Sequence, residues 1–155
     1  MTETPNAELG FTAQAMLCDS AAAVEGKLYI QGGGWNAIAA AAMPFAAPRI
    51  GMALLIGVPY GDTERRHQLT VGLEDEDGSQ LPLGPVTEAG RTTHLQLGFE
   101  VGRPALLPPG DTQLLPFALN IDGYAFARAG GYAFVIAIDQ RELTRLRFRI
   151  HLRTQ

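Results

Sequence analysis

Few residues in this chain of 155 have the type and spacing that chemistry needs. Its three histidines, His67, His94 and His151, stand too far apart for the short ligand spacings of zinc sites. All three read as polar-parity positions of their strands, which predicts solvated side chains, although two could meet across neighbouring strands. A hydrolase built on His67 or His94 with a carboxylate would need a concave pocket holding both groups. Ser20 follows Asp19, but no Gly-x-Ser-x-Gly elbow surrounds it. Cys18 has no adjacent basic residue to lower its pKa, so a small buried hydrophobe is expected there. No catalytic residue, cofactor motif or metal site is assigned.

Gly32, Gly33 and Gly34 could suggest a phosphate cradle. The run lacks the Lys-Ser/Thr of a P-loop and leads into a strand pattern, where such a cradle needs a helix N-terminus. A structural corner or bulge is the better reading. The acidic run Glu74 to Asp77 lacks the ligand spacing of a calcium loop and reads as a solvated hairpin tip. Trp35, the one tryptophan, could stack a sugar together with Tyr29 or Tyr60, but beside a glycine corner it more simply plugs the core.

The most unusual feature is at the C-terminal end. Arg145, Arg147, Arg149, His151 and Arg153 occupy every second position, so on a strand they stand in a row on one face. Guanidinium groups in a row suit a carboxylate-rich partner or a phosphate backbone. The structural alternatives are a solvated face neutralised by Glu74, Glu76 or Glu100, or an edge strand charged against pairing.

The elements that must hold these residues are strands. Eighteen glycines and ten prolines punctuate the chain and disfavour long helices. Alternation is clear over residues 11–18, 49–58, 67–76, 93–101, 115–121, 132–139 and 142–153, with Trp35 to Ile38 a further short strand. In 49–58 the large residues Ile50, Met52, Leu54, Ile56 and Val58 share one face. Gly51, Ala53 and Gly57 share the other, which predicts close cover by a loop or a second subunit. Asp19 or Ser20 could cap one helical turn through Val24, near residues 19–25. About eight to ten strands, each apolar on one face, need a facing layer. The expectation is an all-β antiparallel two-sheet sandwich, with a barrel as the alternative. Residues 1–9 read as a loose polar arm and 10–155 as one domain.

The net charge is −4, with 46% hydrophobic and 18% charged residues. This is a folding composition without the basic footprint of a nucleic-acid binder. No apolar run reaches the roughly 18 to 20 residues of a membrane span, and the N-terminus has no secretory pattern. One cysteine fits a reducing compartment, and cytoplasm is expected.

Leu17-Cys18-Asp19, a short turn, Gly26-Lys27-Leu28-Tyr29-Ile30 and the glycine corner resemble the N-terminal signature of a group of small bacterial proteins of unknown function. The likeness extends through the strand from Pro48 to Val58, the acidic turn from Leu73 to Gly78, and the last hairpin. There Gln140 replaces the usual glycine after Asp139. The resemblance implies a β-sandwich and no activity. The leading expectation is a non-enzymatic interaction or assembly module with an acidic protein partner or a second copy of itself. A carbohydrate-type ligand module is the alternative, and a hydrolase the last.

Overall fold

The alternation of large and small residues over Phe45–Val58 becomes the middle strand of the smaller of two facing sheets. The computed structural model describes residues 10–153, so the arm expected at residues 1–9 lies outside the described residues. The strands are β1 (Thr12–Cys18), β2 (Ser20–Val24), β3 (Lys27–Gln31), β4 (Ala37–Ala40), β5 (Phe45–Val58), β6 (Arg66–Asp75) and β7 (Gln80–Leu81). They continue as β8 (Val86–Thr87), β9 (Gly90–Arg91), β10 (His94–Glu100), β11 (Gln113–Phe126), β12 (Gly130–Ile138) and β13 (Arg141–Leu152). Several are two-residue bridges, so the count exceeds the eight to ten long strands that alternation predicts.

The smaller sheet runs β1-β5-β11 and the larger β10-β6-β12-β13-β4, with β7 beside β6. They are separate hydrogen-bonded networks, so the arrangement is an all-β sandwich and not a closed barrel. Pairing is antiparallel except between β13 and β4, which is parallel. Between the sheets, Ile50, Met52, Leu54, Ile56 and Val58 of β5 meet Leu69, Val71 and Leu73 of β6. Phe134, Ile136 and Ile138 of β12, with Phe148 and Ile150 of β13, complete this core. Burial is worth about 1.5 to 3 kcal/mol for each such side chain, a gain that a single layer open to water could not collect. Among the described residues, no helix is long and apolar enough to cross a membrane.

The helical turn expected near residues 19–25 does not form. The chain makes the hairpin β2–β3 instead, turning at Glu25 and Gly26, both with positive φ. Its alanines suit a helix by propensity, but tertiary packing overrides so weak a preference. Ala21 is buried with Ala53 and Cys18, and the Asn120 side chain clamps the Ala21 backbone from β11. Its Nδ2 donates to the Ala21 carbonyl at 2.8 Å, and its Oδ1 accepts from the Ala21 amide at 3.0 Å. The chain's own hairpin therefore covers the Gly51 and Ala53 region of β5. A Cβ on Gly51 would sit 2.8 Å from Cys18 Sγ, so only glycine permits this approach.

The β12–β13 turn is a two-residue type in which Asp139 (φ 51°) and Gln140 (φ 70°) both enter the left-handed region. Side chains with a Cβ disfavour that region by about 1 to 2 kcal/mol, and Asp-Gly is the sequence such turns prefer. Gln140→Gly should therefore raise stability by about 0.5 to 1 kcal/mol, after allowing for the extra freedom of glycine in the unfolded chain. A urea midpoint shifted upward with an unchanged slope would show it; a lower midpoint would mean that the Gln140 side chain stabilises the turn.

Candidate functional site

Strand period puts the C-terminal cations on the outer face of the larger sheet, and register decides what they meet. Across the outer face of β12, where its residues are small, Arg145 lies opposite Val135, Arg147 opposite Ala133 and Arg149 opposite Gly131. On the other side of β12, Gly72 opposes Val135 and Glu74 opposes Ala133. The result is a trough of about 460 Å³, floored by Gly131 and Ala133, with Glu74 and Glu76 on one wall and the arginines on the other.

Long side chains cross this trough because its floor is so low. Arg145 bonds Glu142 at 2.8 and 2.9 Å and Glu74 at 3.0 Å. Those carboxylates, Glu142 first, hold its guanidinium more firmly protonated than an isolated one. Arg149 reaches Glu76 at 3.7 Å, with both side chains about half exposed, a screened contact of small energetic value. Arg147, His151 and Arg153 are exposed and have no ion-pair partner among the described residues. Glu100 is not among the neutralising groups. The edge-strand alternative holds only in part: β4 pairs β13 over Arg149–Leu152, whereas Arg145 and Arg147 lie on a stretch of β13 with no strand paired on that flank among the described residues. At the acidic tip, Asp75 Oδ1 accepts from the amides of Asp77 and Ser79 at 3.0 Å each.

The histidines separate. His94 is half-buried and His151 exposed, but His67 is 4% exposed, against the expectation of a solvated ring. The parity of β6 carries the reason: His67 aligns with Leu69, Val71 and Leu73, so it faces inward. Phe11 and Phe99 pack against its ring, with centroids at 5.2 and 5.4 Å. Its Nδ1 lies 2.7 Å from Asp139 Oδ2 and its Nε2 2.7 Å from the Asp62 carbonyl. Burial pushes the Asp139 carboxyl up, but the hydrogen bonds from His67 and the Gln68 amide outweigh it and the net shift is downward. Both ring nitrogens are taken and the ring is enclosed, so this dyad has no free nitrogen to present to a substrate. It locks the start of β6 to the last turn.

Cys18 is buried and unpaired, and burial, against an opposing backbone hydrogen bond, raises its pKa. Gly32, Gly33 and Gly34 lie where the chain crosses between the sheets. The Gly34 amide donates to Leu17 of β1 at 2.8 Å, and two residues on, the Asn36 carbonyl accepts from Arg149 of β13 at 2.9 Å. Gly32 and Gly34 have positive φ, which is why the strap needs glycine. Among the described residues, no group of three His, Cys, Asp or Glu side chains could hold a metal ion.

The three aromatics read as stacking candidates do not converge. Trp35 packs edge-on to Phe148 at 6.4 Å and against the main core. It shares a cavity with Phe45, Ala47 and Pro48, at the start of β5. Tyr60 follows the opposite end of β5 and lies under Arg103 at 3.9 Å, while Tyr29 is exposed on the β2–β3 hairpin. The buried Trp35 Nε1 has no hydrogen-bond partner, a cost of about 1 to 3 kcal/mol. Trp35→Phe should thus stay within about 1 kcal/mol of the parent, since it removes that orphaned donor, whereas Trp35→Ala should lose about 2 to 3 kcal/mol of packing. Denaturant melts of the pair check this, and a Phe variant as damaged as the Ala variant would give the indole N–H a partner after all.

Sequence reading missed the Asn120 clamp, whose signal, one amide among apolar alternation, was too weak to read. It also missed the His67–Asp139 lock, whose signal was the parity itself. Among solved structures, the chain is similar to the alkylpurine DNA glycosylase AlkC of Pseudomonas fluorescens, in a structure bound to DNA containing an abasic-site analogue. Identity there is 10% and the TM-score 0.42, over 91% of this chain and 30% of that one. A β-glucosidase from Listeria innocua in complex with glucose gives 8% and 0.44, over 94% and 16%. An immunoglobulin-like protein from Pseudomonas aeruginosa gives 16% and 0.38, over 91% and 96%. The chain thus spans less than a third of the first two, and likenesses this distant carry no argument about activity. No curated protein matches it. The opening signature, the acidic turn and the last hairpin all fall within residues 13–151, which match DUF6941, and the chain belongs to that family of unknown function.

Proposed function

We propose that the chain acts as a binding module and not as a catalyst, through the outer face of its larger sheet. Arg147 is the observation that carries this reading. It stands exposed in the middle of the charged row, beside the low floor of Ala133, with no ion-pair partner among the described residues. Its neighbours Arg145 and Arg149 are occupied by Glu142, Glu74 and Glu76, so of the three arginines beside the trough Arg147 is the one left to receive a carboxylate in bidentate fashion. A protein surface bearing carboxylates suits it better than nucleic acid, because a chain of net charge −4 lacks the basic field that phosphate backbones require. A cytoplasmic setting is in keeping with the lone buried thiol.

The test is affinity capture from native lysate with the parent and Arg147→Glu, at low salt and at several times the ionic strength. A partner held by the parent at low salt, and released both by salt and by the charge reversal, is the expected result. Capture indifferent to both changes would sink the proposal.

A further inference from the structure

The outermost strand on one side of the larger sheet is β10, paired with β6 on one flank and with no strand on the other among the described residues. An open edge is a template for another strand, and proteins that avoid pairing place proline, lysine or a bulge in it. Strand β11, an edge of the smaller sheet, carries Pro116 and Asp122. The centre of β10 carries nothing of the kind. It reads Leu95-Gln96-Leu97-Gly98-Phe99, and Leu97, on the core-facing parity with Leu95 and Phe99, is still 37% exposed. That exposure fits the topology: among the described residues, no strand pairs with β10 on the flank where a next one would cover Leu97.

We infer that β10 is a docking edge for a second copy of this chain, the two β10 strands pairing antiparallel about a two-fold axis at Leu97. The strand is self-complementary in that register. Leu97 meets its own copy, Leu95 meets Phe99 of the second copy, Gln96 meets Gly98, and His94 meets Glu100. Apolar faces apolar on the core side and polar faces polar on the outer side, which is the condition that specifies a register. The terminal pair needs the His94 ring to turn toward the open flank from Gly72 of β6, where a Cβ would lie 2.9 Å from its Nε2. His94 Nδ1 is held by Thr93 Oγ1 at 2.8 Å, leaving Nε2 as its remaining polar atom. Glu100 has no ion pair within its own chain among the described residues, because Arg66, opposite it on β6, lies over Gly98 instead. Pairing joins the two larger sheets into one continuous sheet. This surface is independent of the Arg147 face, and Arg147→Glu should leave self-association unchanged.

Sedimentation equilibrium of the full chain up to several hundred micromolar tests it. The parent should show a reversible monomer–dimer equilibrium with little salt dependence, because backbone bonds and apolar contacts dominate the edge. Leu97→Lys should weaken association by more than about tenfold. His94→Glu and Glu100→Lys should each weaken it by about tenfold, since each spoils two symmetry-related pairs. An equimolar mixture of those two variants should regain the parental constant, because the new glutamate then faces the new lysine. These side chains lie on an exposed edge, and the mixing result decides the matter even if Leu97→Lys disturbs the fold. A parent that stays monomeric throughout would overturn the inference, as would a dimer whose constant ignores all three substitutions.

Discussion

Replacing Phe148 by alanine should cost about 3 to 5 kcal/mol. This ring joins more of the structure than any of its neighbours. It stacks on Tyr132 at 5.7 Å and Phe134 at 5.3 Å, both on β12, and meets Phe126 of β11 edge-on at 5.9 Å. Trp35, on the strap between the sheets, closes the group at 6.4 Å. One side chain from β13 therefore touches both sheets and the connection between them, and it is only 3% exposed. Its removal takes away apolar burial and leaves a cavity that four fixed rings cannot collapse to fill. In a domain whose whole stability is of order 5 to 15 kcal/mol, the melting temperature should fall by roughly 10 °C or more. Phe148→Leu, which keeps much of the volume, should cost less than half as much. Equal losses for both variants would show that ring stacking, and not filled volume, is what matters here.

His67→Ala should be the next most damaging single change, at about 2 to 4 kcal/mol, and it should alter the acid limb of stability. The lost ring leaves a gap between Phe11 and Phe99 and leaves the Asp139 carboxylate without its Nδ1 partner. In the folded parent the Asp139 pKa is lowered, by hydrogen bonds that prevail over its desolvation. A lowered carboxylate pKa contributes stability that is present above the unfolded value, about 3.9, and is lost as pH falls through the folded one. The parent should therefore lose stability steadily below about pH 4, and His67→Ala should lose less over the same window. Urea midpoints measured at intervals from neutral pH to about pH 2.5 would show two curves that converge in acid. Curves that stay parallel would mean that His67 acts through its packing alone.

Much of this molecule was legible in its residues. The large and small faces of Phe45–Val58, the core parity of Phe134, Ile136 and Ile138, and the common face of Arg145, Arg147 and Arg149 all follow from the period of a strand. The inward position of His67 follows from the same period, through alternation with Gln68 and Thr70, but the expectation there is a solvated ring and the structure buries it. The hairpin at Ser20–Gln31 was not legible. Local propensity in Ala21-Ala22-Ala23 fits a helix, and the choice fell to Asn120, 99 residues away, whose amide fits the backbone of Ala21.

By itself the sequence determined the all-β class and the two-faced strands, because each depends on neighbours along the chain whose geometry is local. Tertiary structure alone decided that Arg145 and Arg149 meet carboxylates while Arg147 between them has no ion-pair partner among the described residues. Glu74 and Arg145 are 71 residues apart and His67 and Asp139 are 72, and alternation says which face a side chain occupies without saying which strand lies beside it. Strand order and register supply that second coordinate. They put the low floor of Gly131 and Ala133 between two charged walls, and they left β10 with an open flank.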